Sequence, residues 1–219
     1  MSTSLGADVL AFAIVAATLT IIPGLDTALV LRAAVTHGRS DAFATALGVN
    51  SGVLVWGVGA AAGVSALLTA STAAYVVLRF VGAVYMVILG SRFLRDAWRP
   101  RQGRLPHSGS GGDARRSPSG VAVAWRRGFI TNLANPKVGA FYVALLPQFI
   151  PRGSPHILVG LMLASVHNVE GIAWFSLLIL GIHGGRSWIM RPRIQRTLNA
   201  ITGAVLITFA STLVLSDNN

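Results

Sequence analysis

Apolar residues along this chain gather in long blocks instead of recurring at the spacing of a half-wet helix. Six blocks stand out, at 9–31, 42–68, 72–94, 128–150, 156–183 and 198–215. Each is 18 to 28 residues long, and about 20 residues of helix cross a bilayer core. The pattern therefore predicts six membrane-spanning helices. Charge within them is sparse: Asp26 in the first block, Arg79 in the third with Arg92 at its very end, Lys137 in the fourth and Glu170 in the fifth. Composition agrees, with 53% hydrophobic and 11% charged residues in 219.

A net charge of +11 would suit a nucleic-acid partner if it were clustered on one face. It is instead distributed by connection. Arg32 and Arg39 follow the first block, nine arginines from Arg92 to Arg127 fill the third connection, and Arg186, Arg191, Arg193 and Arg196 fill the fifth. The second connection has no basic residue and the fourth only Arg152. Such alternation excludes a nucleic-acid partner and, by the positive-inside rule, places both termini outside and the basic loops in the cytoplasm of a multi-pass cell-membrane protein. No basic residue precedes Arg32, so the first span is expected to be retained and not cleaved as a signal peptide. The chain has no cysteine, which removes thiol redox chemistry, thiolate metal sites and disulfides.

The stretch 99–120, "RPRQGRLPHSGSGGDARRSPSG", is too polar and too rich in Gly, Ser and Pro to bury a core. It is expected to be a disordered cytoplasmic linker between two halves, 1–98 and 121–219, of three spans each. Both halves open on an interrupted span. The first contains "TIIPGLDTALVLR", with Pro23, Gly24 and Asp26 close together; the fourth contains "TNLANPKVGAF", where Asn135 and Pro136 suit the N-cap and first turn of a new helix and Lys137 follows. Three is odd, so equivalent halves must lie inverted in the membrane. The expected fold is an all-α integral membrane protein of six transmembrane helices, in two inverted three-helix repeats with broken first and fourth helices. Breaks so paired point to a secondary transporter with its site at the breaks.

"PGLD", "HGRSDAFATALGVNSG", "NPK" and "PQF" together resemble the LysE/RhtB family of bacterial amino-acid exporters (LysE-type translocators), over nearly all six spans. The resemblance implies proton-driven expulsion of amino acids or related small metabolites. In the family pattern Pro-Gly-Pro-Asp a second proline stands where this chain has Leu25, which changes the local shape of the break and leaves Pro23, Gly24 and Asp26 matched.

At a rise of ~1.5 Å per residue, Asp26 and Lys137 lie roughly 12 and 13 Å above the inner ends of their spans, and Asn50 falls at a similar depth. A lone charge at the bilayer centre costs about 2.5–3.5 kcal/mol even on the lenient insertion scale, so Asp26 and Lys137 are expected to pair. In "SVHNVEGIAW", His167, Asn168 and Glu170 lie near mid-membrane. His167 and Glu170, three apart, share a face and suit a proton relay; as metal ligands two are too few. Gly48, Gly52, Gly59 and Gly63 suit one close-packed helix face. Gln148 and Phe149 are placed at an outer exit, and Arg79 is expected to snorkel outward and is left out of the site.

The expected pathway thus comprises Pro23, Gly24, Asp26, Asn50, Asn135, Pro136, Lys137, His167, Asn168 and Glu170, with exposed half-helix amides receiving a carboxylate. The partners are a small amino-acid-like substrate, protons and the bilayer. No cofactor is called for, no enzyme activity is expected, and a homo-oligomer is left open. Two other readings exist. A divalent-cation transporter would want more intramembrane acids. An intramembrane serine hydrolase would need a nucleophile elbow, and Ser165 is two residues from His167, which faces them apart. Trypsin added to sealed right-side-out vesicles is expected to spare the 99–120 linker and to cut it in inverted vesicles; cleavage in the former would reverse the orientation.

Overall fold

A computed structural model describes residues 5–98, 120–151, 153–181 and 191–215. The linker expected at 99–120 falls almost entirely outside the described residues, as does the side chain of Arg79. Among the described residues there are eight α-helices and no strand. They are α1 (Leu5–Ile21), α2 (Leu25–Thr36), α3 (Arg39–Ala70), α4 (Thr72–Trp98), α5 (Val121–Leu133), α6 (Pro136–Leu145), α7 (His156–Leu180) and α8 (Pro192–Leu215), with a 3-10 turn at Leu146–Phe149.

Both expected interruptions are present. The axes of α1 and α2 bend by 53° at the Pro23–Gly24 break, and α5 ends at Leu133, with Ala134 and Asn135 between it and the start of α6 at Pro136. By length and composition, α3 through Gly63, α7, and the bent α1–α2 pair taken as one span can cross a membrane. Apolar side chains cover much of the outer surface: Leu10, Val77, Leu158, Val169 and Leu177 are all more than half exposed. That is unfavourable in water and ordinary against lipid.

Buried side chains form two cores. The larger joins Phe12 and Leu19 of α1 to Phe141, Tyr142 and Leu145 of α6, Leu163 of α7 and Leu206 of α8. At its centre the Phe12 ring lies 5.8 Å from Phe141 and 5.3 Å from Phe149, edge and tilted geometries that suit aromatic quadrupoles. Phe149 is therefore a core residue and not part of an exit. Gln148 donates to the Ala144 carbonyl of the preceding turn. The smaller core packs Val30 and Leu31 of α2 on Val49 of α3 and Phe175, Leu178 and Ile179 of α7.

Close approach of the helices rests on small residues. A Cβ on Gly48 would collide with the Trp125 carbonyl, and one on Gly128 with that of Thr45, so α3 and α5 run in parallel at backbone contact. Gly52 faces the Asn132 side chain. The glycine face expected at Gly48, Gly52, Gly59 and Gly63 is only half right, because nothing lies within 4 Å of a Cβ built at Gly59 or Gly63. Gly57, packed on Ala164 of α7, takes their place. These contacts yield a prediction. Gly48→Ala should force α3 off α5 and lower stability by about 1–3 kcal/mol, while Gly59→Ala should be neutral or slightly stabilising, alanine being the better helix former. Thermal unfolding in detergent measures both, and equal midpoints would contradict the packing.

Candidate functional site

Each break frees a backbone carbonyl for the same reason. In a continuous helix the carbonyl of residue i accepts from the amide of residue i+4. Four residues after Leu19 stands Pro23, and four after Asn132 stands Pro136, and proline has no N–H to give. The Leu19 carbonyl instead accepts from the Lys137 ammonium at 3.0 Å, which also donates to the Ile22 carbonyl at 3.2 Å. Lys137 thus caps the negative end of α1 from the other half of the chain. The Thr202 hydroxyl of α8 adds a bond of 3.3 Å to the Thr18 carbonyl. At the second break the Asn132 carbonyl accepts from the Asn135 amide at 3.0 Å and the Trp56 indole at 3.4 Å.

Asp26 sits in the first turn of α2, where the helix dipole favours an anion. Its Oδ2 accepts from the Asn132 and Asn135 side-chain amides at 2.9 and 3.1 Å. Asn135 also caps α6 as its position predicts, its Oδ1 accepting from the Lys137 backbone amide at 3.1 Å. The two breaks are therefore cross-linked: the lysine of one closes the helix end of the other, and the asparagines return the favour at Asp26.

The expected direct pairing of Asp26 with Lys137 is not what the structure has. Among the described residues the two charges form no direct ion pair; amides hold the carboxylate and carbonyls hold the ammonium, whose outer side lies 5.8 Å from the Phe93 ring centroid. The reason is that broken helices present orphan carbonyls nearer to hand than the opposite charge.

Both charges line a cavity of about 50 Å³ between the two cores, room for a few waters. Gly24, Asn50, Asn135 and His167 line it too, so six of the ten expected residues come together. Pro23 and Pro136 shape the breaks without lining it. Asn168 and Glu170 lie off it, on the flanks of α7, each with one buried oxygen that finds no partner. Asn50 donates to the Ala46 carbonyl at 2.8 Å and rests its Oδ1 against Gly171.

The expected His167–Glu170 relay has no hydrogen bond between its members. His167 Nδ1 instead meets the Tyr142 hydroxyl at 3.0 Å, with the rings stacked at 18°. Ser165 donates to the Leu161 carbonyl of its own helix. Sequence reasoning missed Asn132 and Tyr142. Asn132 was findable, since it stands four residues before Pro136 and so belongs to the turn that the proline leaves unpaired. Tyr142 sits in an apolar run with nothing to mark it.

Two residues of the cavity wall keep unsatisfied acceptors. Asp26 Oδ1 and Asn132 Oδ1 are buried without a partner, and unpaired buried acceptors are costly unless something donates to them. The remaining wall of the cavity is largely apolar, with Leu19, Ile22, Val49, Val53, Val138 and Phe175 beside Thr20 and Thr27. The α2 N-terminus, headed by Gly24, has no side-chain cap, whereas that of α6 is closed by Asn135, so the expectation of open half-helix amides survives at α2 alone.

The family model of the LysE type translocator matches residues 17–217. The chain is 27% identical to membrane protein YrhP of Bacillus subtilis over 204 residues, 92% of this chain and 96% of the relative. It is 30% identical to a leucine efflux protein of Klebsiella pneumoniae over 195 residues, 88% of each, and 28% identical to one of Salmonella choleraesuis over the same length and coverage. No solved structure matches.

Separate partners for the two charges predict how their variants combine. Lys137→Met strands two buried carbonyls, at about 1–3 kcal/mol each; Asp26→Asn loses charge-assisted bonds worth about 1.5–3 kcal/mol apiece. The two share Asn135 and one cavity, so the losses should couple by about 0.5–3 kcal/mol, with the double variant still less stable than either single one. Recovery of folded yield beyond the singles would mean a direct buried pair.

Proposed function

From the premise that the chain belongs to the LysE type translocator family, we propose that it is a secondary active exporter of neutral apolar amino acids, coupled to protons. The observation that carries this reading is that Asp26 and Asn132 each keep a buried oxygen without a partner at a cavity whose wall also includes Leu19, Ile22, Val49, Val53, Val138 and Phe175. A substrate ammonium supplies the donors the pair lacks. Lys137 uses two of its three N–H groups on α1, which leaves one for the substrate carboxylate. With one carboxylate and one ammonium at the cavity, no second charge awaits an ionised side chain, and the apolar wall favours an aliphatic one. Relatives named for leucine efflux make leucine the first substrate to test.

Coupling follows from competition. A proton and an ammonium group both neutralise Asp26 and cannot do so together, so entry of one from outside accompanies exit of the other. Glu170, off the cavity, has no part in this exchange. The cavity is smaller than leucine, so helices part around the breaks during the cycle. Six spans in two inverted halves, with basic loops cytoplasmic and both termini outside the cell membrane, complete the proposal. Local two-fold reciprocity supports it. A Cβ on Gly90 would lie 2.9 Å from the Gly203 carbonyl and one on Gly203 2.7 Å from that of Gly90; for Gly57 and Gly160 the values are 3.4 and 3.3 Å. Each of these pairs joins counterpart helices running antiparallel, α4 with α8 and α3 with α7, as inverted halves require.

Reconstituted in proteoliposomes, the protein should catalyse leucine counterflow and drive leucine uphill on an imposed pH gradient. Asp26→Asn should cut gradient-driven transport about tenfold or more, equivalent to at least about 1.4 kcal/mol, and Glu170→Gln should leave it near wild type. A metal-dependent current without leucine counterflow would favour a divalent-cation transporter. Loss of coupling in Glu170→Gln alone would move the proton site to α7.

A further inference from the structure

The hydrogen-bonding walls of the cavity are unequal. Asp26 and Asn132 offer acceptors, and Lys137 retains a single donor for a carboxylate, which has two oxygens to satisfy. His167, on α7, also lines the cavity. A neutral imidazole carries one donor and one acceptor, and which nitrogen holds the proton is set by the bond the other makes. Here that bond joins Nδ1 to the Tyr142 hydroxyl at 3.0 Å.

Tyr142 is fully buried at 0% exposure and stands outside the cavity lining. Its hydroxyl has this bond and no other among the described residues. If His167 donated from Nδ1, the phenolic proton would be left in the core without an acceptor, a costly arrangement. If the phenol donates, its proton and Nδ1 are both satisfied, and the histidine proton sits on Nε2 as a free donor. With Nδ1 committed to Tyr142, Nε2 is the ring nitrogen left to serve the cavity that His167 lines.

We propose that Tyr142 fixes His167 in its Nε2–H form, and that this N–H is the second donor to the carboxylate of the transported amino acid. The inference rests on the amino-acid reading given above. His167 then touches substrate, and Tyr142 is a positioning residue that acts through it. Recognition extends to molecules with a free α-carboxylate, and amines that lack one gain nothing from His167. A ring held neutral as a donor also stands outside the proton path.

Binding of leucine and of 3-methylbutylamine, which is leucine without its carboxylate, to the purified protein tests this. Tyr142→Phe keeps the ring and frees the imidazole. It should weaken leucine about fivefold to tenfold, the worth of one neutral hydrogen bond, and leave the amine unchanged. Equal weakening of both ligands would reduce Tyr142 to a packing residue and overturn the proposal, as would unchanged leucine binding. Failure of the wild type to bind leucine would remove the amino-acid reading itself and this inference with it. A second measurement does not depend on the variant folding. In histidine-selective 15N spectra of the wild type, with His167 assigned by its loss in His167→Gln, Nδ1 should be unprotonated and Nε2 protonated. The reverse tautomer would contradict the assignment.

Discussion

A carbonyl whose helical donor has been replaced by a proline ring cannot stay unpaired in hydrocarbon, and most of this structure is arranged around two such carbonyls. Pro23 strands Leu19 and Pro136 strands Asn132. The first is served by Lys137 from the opposite half of the chain and the second by Trp56 and the Asn135 amide. Once Lys137 is committed to α1 and the Asn132 and Asn135 amides to Asp26, the halves are joined at their weakest points by polar bonds that neither could make alone.

That arrangement explains where the cavity lies. Broken backbone cannot pack as densely as helix, and the polar groups that repair it cannot be covered entirely by apolar side chains, so the two hydrophobic cores stop on either side. Glycine and alanine bring α3 to backbone contact with α5 and α7, which delivers Asn132 and His167 to the breaks. Both stranded carbonyls, of Leu19 and Asn132, are repaired, whereas the side chains of Asp26 and Asn132 each keep one buried oxygen without a partner. On the proposed reading, a zwitterion supplies what these acceptors and the third N–H of Lys137 lack, and the energy a substrate gains there is the energy the empty site forgoes.

Much of this was legible in the sequence, for reasons that can be named. Pro-Gly and Asn-Pro mark helix ends by backbone chemistry, which does not depend on tertiary context, so both breaks and the Asn135 cap fell where expected. Position along a helix follows from its fixed rise, and Asp26, Asn50 and Lys137, placed at similar heights by that rise, line one cavity. Partner choice was less legible. Two opposite charges at equal depth suggested a pair, but hydrogen bonds to orphan carbonyls depend on where α1 ends in space, and sequence spacing does not carry that. Rotation about α7 was lost in the same way: His167 faces the cavity and Glu170, three residues on, does not. Tyr142 was invisible because an aromatic in an apolar run reads as core, which it also is. Gly59 and Gly63 looked like packing residues from spacing alone and meet nothing.

The central claim is that Lys137 holds the end of α1 and not the Asp26 carboxylate. Lys137 is the sole lysine in the chain, so lysine labelled with 15N at Nζ reports on this one site in lipid. Dipolar recoupling to 13C should then show strong dephasing from leucine and isoleucine backbone carbonyls, in keeping with oxygens at 3.0 and 3.2 Å, and weak dephasing from aspartate Cγ. Strong dephasing from aspartate Cγ with none from the carbonyls would contradict the account, because the two breaks would then be held by a direct ion pair and the end of α1 left to find other partners.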